Sequence, residues 1–223
     1  MLGPQDQEAV ARAIRDAEAK TDGEIAVVMA PESDSYADVV LHWAVLLALL
    51  PLALFATFPG LLEWGASLLH QGWGDEPPPL RLMLTIVLLK VAVAFLIGRF
   101  LFAIPAIKQA LTPGATKARR VRRRAIMVFK ASTERRTATR TGVLLYLSLA
   151  ERRAEIVADE SIQSKISGEE WGEAMVALLD GVRGGRPGDG MAAAVGKIGD
   201  VLAAHFPYTG QDPNELPDRL IQL

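Results

Sequence analysis

The sequence predicts an α/β domain of three layers, a mixed sheet flanked by helices, interrupted by a two-helix transmembrane hairpin. Three observations carry that expectation. Two long apolar runs lift the mean hydropathy to +0.22, above the negative value usual for a soluble domain of 50% hydrophobic content. Short, near-continuous apolar runs lie outside them and read as strands covered on both faces. Between these come segments with apolar residues at helical spacing. The absence of cysteine excludes a disulfide scaffold, and a net charge of −2 gives no overall pull towards nucleic acid.

The first segment opens with Gly3-Pro4 and Asp6, which suit a helix start, and Val10, Ile14 and Ala17 then form one apolar face. Lys20-Thr21-Asp22-Gly23 closes this helix, and Glu24 to Met29 is the first strand. Residues 1–38 are too short to bury a core alone, so this strand needs neighbours from later in the chain.

The first apolar run, Val39 to Phe58, carries no formal charge, and at about 1.5 Å per residue it crosses a hydrocarbon core of roughly 30 Å. His42 and Trp43 suit an interface near one end, and Pro51 is expected to kink the helix. The second run is Leu82 to Ile104. Arg99 is near enough to its end to snorkel, and the same behaviour is the simpler expectation for Lys90. Residues 59–81 form the connecting loop, with Glu63, Asp75 and Glu76 against Arg81. From Lys108 to Arg140 the balance reverses: arginines and lysines crowd the stretch and Glu134 is its single acid. The positive-inside rule then places the loop outside and both termini in the cytoplasm. Orientation is the simplest reading of these cations. A second is a surface helix on anionic lipid, with Val121, Ala125, Val128 and Ser132 as its apolar stripe. Without interleaved aromatics, nucleic acid is not an expected partner.

Residues 108–223 supply the rest of the soluble domain. Val143 to Leu149 reads as a buried strand, Glu151-Arg152-Arg153 as a turn, and Ala154 to Ala158 as the returning strand. Ser167-Gly168-Glu169-Glu170 has capping-box spacing ahead of a helix striped by Trp171, Met175, Leu178 and Val182. Gly184 to Gly190 reads as a loop. The last helix aligns Met191, Val195, Ile198 and Leu202, with Gly196, Gly199 and Ala203 allowing close packing, and ends at His205-Phe206-Pro207.

These residues resemble a known family. Thr21-Asp22-Gly23-Glu24-Ile25-Ala26-Val27-Val28 is similar to the T-x-G-E-I-x-V-V opening of the TPM domain, named for thylakoid lumen, photosystem II and acetylcholine-receptor modulator proteins. The resemblance continues through Arg122, Ala125 and Phe129, then Thr141-Gly142-Val143-Leu144-Leu145 and Ala150-Glu151-Arg152. It extends through Glu155-Ile156-Val157 with Asp159, Lys165 and Trp171. His205-Phe206-Pro207 with Asn214-Glu215-Leu216-Pro217 is similar to a membrane-embedded bacterial branch. The resemblance implies a three-layer α/β fold and one of three roles: weak acid phosphatase, calcium binder, or accessory subunit of a membrane complex. Many members carry a G-Y-G-x-E-G turn where this chain has Ala158 to Gln163, so the resemblance brings no phosphatase or calcium site with it at that turn.

Asp159 and Glu160 follow a strand, and α/β domains place ligand crevices at strand ends. With Glu24 they are the candidate metal ligands. Oxygen donors of this kind suit a divalent ion such as calcium or magnesium, which would polarise a phosphoryl group. Asp159 is the candidate catalytic residue. The competing reading makes Asp159 a cap, Glu160 a solvated charge and Glu24 an arginine partner. His205 is expected to meet a last-turn carbonyl, and Asp212 to Asp218 lacks calcium-loop spacing. No serine lies in a G-x-S-x-G context, and Gly184 to Gly188 lacks the ending of a phosphate loop. The leading expectation is therefore a non-enzymatic accessory protein, without a cofactor, whose partners are membrane lipids and another membrane protein. The alternative is a weak metal-assisted phosphatase acting on phosphomonoesters.

Overall fold

The computed structural model describes residues 2–69, 77–132, 141–210 and 217–223. The elements run α1 (Pro4–Glu18), β1 (Glu24–Ala30), α2 (Ala37–Thr57), α3 (Pro59–Ser67), α4 (Leu80–Leu101), α5 (Pro105–Leu111) and α6 (Gly114–Ser132). They continue with β2 (Gly142–Ser148), β3 (Arg153–Ala158), α7 (Glu160–Gln163), α8 (Gly172–Arg183), α9 (Pro187–His205) and β4 (Leu220–Gln222). The chain divides into two compact units, residues 1–34 with 114–223, and residues 35–113.

The first unit is built on a mixed sheet of order β3-β2-β1-β4. β1 pairs in parallel with β2, Glu24 opposite Gly142 and Ala30 opposite Ser148, and in parallel with β4. β3 returns antiparallel to β2. Every residue of β1 and β2 is buried, as their unbroken apolar runs predict. Successive side chains of a strand point to opposite faces, and the two faces hold separate cores. Ile25, Val27, Met29, Val143, Leu145 and Leu147 pack against α1, α8 and α9. Ala26, Val28, Leu144 and Tyr146 pack against α6. Helix, sheet and helix make the expected three layers.

α1 buries Val10, Ile14 and Ala17, the face its spacing predicts. It crosses α9 where Gly199 meets Ala17: a Cβ on Gly199 would lie 2.5 Å from the Cβ of Ala17. Gly190 does the same for α8, a Cβ there falling 3.0 Å from the Cα of Gly181. Gly196 has nothing within 4 Å, so of the two glycines expected to permit close packing only Gly199 does so. α9 begins at Pro187, inside the stretch expected as loop, because proline suits the first helical turn. The capping-box spacing yields one of its two bonds: the Ser167 amide donates to Glu170 Oε1 at 2.8 Å, and α8 starts beyond that turn, at Gly172.

α6 departs most from the simple reading. It is the crossover between parallel β1 and β2, so its apolar stripe, Val121, Ala125 and Phe129, is buried against the sheet. That stripe is therefore unavailable to a bilayer, and the helix cannot lie on lipid by its apolar face. Most of its cations are exposed, Lys117 and Arg120 only partly so. Arg120 bonds Asp34 at 3.1 Å, and Arg122 reaches Glu155 at 3.4 Å. The fourth strand, β4, has no counterpart in the sequence reading.

In the second unit α2 and α4 pack on each other. A Cβ on Gly98 would lie 2.9 Å from the Cα of Ala44, so glycine sets how closely the helices approach. Both helices are long and apolar enough to cross a membrane, with mean hydropathy 2.4. Pro51 lies within α2. Large apolar side chains face outward: Leu50 is 60% exposed, Leu88 67% and Phe100 73%. α3 occupies the start of the stretch expected as a loop, and α5 follows α4 directly.

Candidate functional site

A cleft of about 700 Å³ runs beside the free edge of β3. β3 is a terminal strand of the sheet, so its outer backbone groups have no strand neighbour among the described residues. One wall comes from α6 through Arg122, Ile126, Phe129 and Lys130, the other from Ile166, Gly168 and Trp171. The first wall belongs to the core on one face of the sheet, and Ile166 and Trp171, in the segment between α7 and α8, belong to the core on the other, so the cleft straddles the sheet edge. Asp159, Glu160 and Gln163 close one end.

Asp159 lies at the turn from β3 into α7 and is buried. Its backbone amide donates to the Gly142 carbonyl at 3.0 Å, and the Gly142 amide donates to Asp159 Oδ2 at 2.8 Å. The carboxylate thus ties β3 to β2 and makes no capping bond to α7, in contrast to the capping role weighed from sequence. Glu160 is exposed at the cleft end. Glu24 is buried, in the same sheet row as Gly142, and lines a different cavity of about 300 Å³ with Arg15, Glu18, Thr21, Tyr208 and Asp218. The sheet therefore puts Glu24 and Asp159 in one row with Gly142 between them, facing separate cavities. Among the described residues no group of three His, Asp or Glu is arranged to hold a metal ion.

The antiparallel direction of β3 corrects one step of the sequence argument. The carboxyl end of β3 lies at the amino edge of β1 and β2, opposite the edge where parallel strands form a ligand crevice. That other edge carries polar groups that satisfy one another. The Ser33 amide donates to Glu151 Oε1 at 3.0 Å, and the Ser33 hydroxyl donates to Ser148 Oγ at 2.7 Å. The Ser148 hydroxyl donates to the Glu151 carboxylate, and Tyr146 Oη lies 3.1 Å from Ser33 Oγ. Such a network locks the chain leaving β1 to the β2–β3 turn.

Glu18 is the residue sequence reasoning passed over. Its Oε1 accepts the Ile25 amide at 2.8 Å. Burial, with repulsion from Glu24 and Asp218, raises its pKa to about 8. The signal was present: Val10, Ile14 and Glu18 are successive i, i+4 positions on the apolar face of α1. On β3, partial burial raises the Glu155 pKa and the Arg122 guanidinium opposes it. His205 meets Glu170 at 2.9 Å and not a backbone carbonyl as expected, and the Ser167 amide and His205 together hold the Glu170 pKa down.

Chemically, the cleft offers two exposed cations, two carboxylates, an apolar floor and a strand edge. Among the described residues lining it there is no hydroxyl, thiol or imidazole. Asn214 to Leu216 and most of the acidic C-terminal stretch lie outside the described residues, as do Asp75, Glu76 and Glu134.

No protein-family model matches the chain, and no curated protein matches it in sequence. One solved structure is similar across both chains: the NMR structure of BA42 protein from the psychrophilic bacteria Bizionia argentinensis sp. nov.. It is 19% identical with a TM-score of 0.56, covering 100% of this chain and 96% of that one. At that identity the likeness shows the fold, and it agrees with the mixed sheet and flanking helices described above.

Proposed function

We propose that this chain is a membrane-anchored accessory protein whose TPM-like α/β domain binds a partner, held at the bilayer by an α2–α4 hairpin inserted between β1 and α6. The observation that carries this reading is the insertion itself. Residues 35–113 expose an apolar coat of leucine and phenylalanine, while the α/β unit around the insertion has its own two-sided core. An apolar exterior of that extent suits lipid and costs heavily in water. The excess of cations after α4 supports cytoplasmic termini and an external α3 segment in an inner membrane. The cleft beside β3 suits recognition of another polypeptide, since a free strand edge presents backbone donors and acceptors and its walls supply charge and apolar surface.

A second reading rests on Asp159 and Glu160 sharing that cleft with Arg122 and Lys130. Carboxylates for a divalent ion and cations for a phosphoryl group are the elements of a weak metal-assisted phosphatase, to which Glu24 would belong only through the sheet row. Assaying the purified full chain on a phosphomonoester, with calcium, magnesium or chelator, separates the two. The accessory reading predicts no turnover above the blank in any condition, and equal results for wild type and Asp159→Asn. Metal-dependent turnover lost in a folded Asp159→Asn protein would replace it with the phosphatase reading.

A further inference from the structure

Lys90 stands at the middle of α4, whose other charges, Arg81 and Arg99, lie near its ends. At about 1.5 Å rise per residue it is about 15 Å from either end of the helix. A lysine stem reaches ~6 Å, so snorkelling that serves Arg99 leaves Lys90 well short of the headgroups. The hairpin supplies no counter-charge at that depth: α4 has no Asp or Glu, and the single acid of α2 is Asp38 in its first turn. Lys90 is exposed, and it lines an open groove of about 650 Å³ with Leu47, Pro51, Leu54, Val93 and Ile97. Pro51 has no amide hydrogen, so the carbonyl of Leu47, another residue lining the groove, loses its helical donor. An otherwise apolar groove thus presents a cation.

We propose that this groove receives a transmembrane helix of another protein bearing an Asp or Glu at mid-depth, whose carboxylate pairs with Lys90. A buried ion pair removes the cost of an isolated charge in hydrocarbon, so charge selects the occupant. A second copy of this chain brings a second Lys90 and no carboxylate at that level, so like charges oppose self-association there. The proposal rests on the membrane-anchored reading and names the chemistry of its partner.

The test uses the full chain, donor-labelled at an introduced Thr57→Cys, in phosphatidylcholine vesicles. Acceptor-labelled polyleucine helices carry Glu, Leu or Lys at their centre, and energy transfer reports association. The Glu helix is expected to associate about tenfold more strongly than the Leu helix, the scale of a polar helix–helix contact in lipid. Lys90→Leu, which suits an apolar helix, abolishes the difference, Lys90→Arg keeps it, and the Lys helix gains nothing. Equal association of Glu and Leu helices, or an advantage surviving Lys90→Leu, overturns the proposal. Flotation of the same vesicles separates the two levels. A chain that floats yet ignores the Glu helix overturns the groove pairing alone, and a chain that does not float overturns the membrane anchor with it.

Discussion

Glu18 shows how one side chain makes the domain sensitive to pH. In the unfolded chain it titrates near the ordinary glutamate value, about 4.3. In the folded domain burial and two neighbouring carboxylates hold the pKa near 8. The folded state keeps a proton that the unfolded state has lost, so the stabilisation is complete below the unfolded value. It declines as pH rises and is gone above about 8. Glu18→Gln keeps an acceptor for the Ile25 amide and removes the charge. Melting curves from pH 5 to 8.5 should show the variant with a shallower decline and a higher midpoint at pH 8.5. Identical pH slopes for variant and wild type would refute this. Asp159 illustrates the other limit of sequence reading. Its place after β3 was legible, but its bond to Gly142 depends on which strand lies beside it, and pairing is a long-range choice that local pattern does not encode.

Among the elements, β1, β2, α1 and α9 were legible because each carries its period in its own residues. α6 was read less well. Its row of cations drew attention to an exposed face, while Val121, Ala125 and Phe129 were doing a crossover helix's work against β1 and β2. β4 was missed because three residues are too few for a period, and it forms only because β1 offers a free edge. Element packing also gives a paired prediction on α9. Gly199→Ala puts a methyl 2.5 Å from the Ala17 Cβ and should cost about 1–3 kcal/mol through overpacking. Gly196→Ala meets nothing within 4 Å and should stabilise the helix by about 0.5–1 kcal/mol. Denaturant midpoints of the two variants should move in opposite directions. A shift of both the same way would mean that α1 and α9 do not pack as described.

For the whole molecule, composition already held the essential division. The average of 50% hydrophobic residues mixes an insertion that exposes leucine and phenylalanine with an α/β unit that buries its own. The fold class followed from that division and from the strand runs. The site did not follow, because Asp159 and Glu24 sit in one sheet row yet open into separate cavities, and only the sheet order decides that. Since the chain has no cysteine, single introduced cysteines report accessibility without background. The most direct measurement is labelling of Gly72→Cys and Glu169→Cys by a membrane-impermeant maleimide in intact cells. A hairpin with both termini inside predicts immediate labelling at 72, and labelling at 169 only after the membrane is opened. Labelling of both positions from one side of a sealed membrane would contradict it.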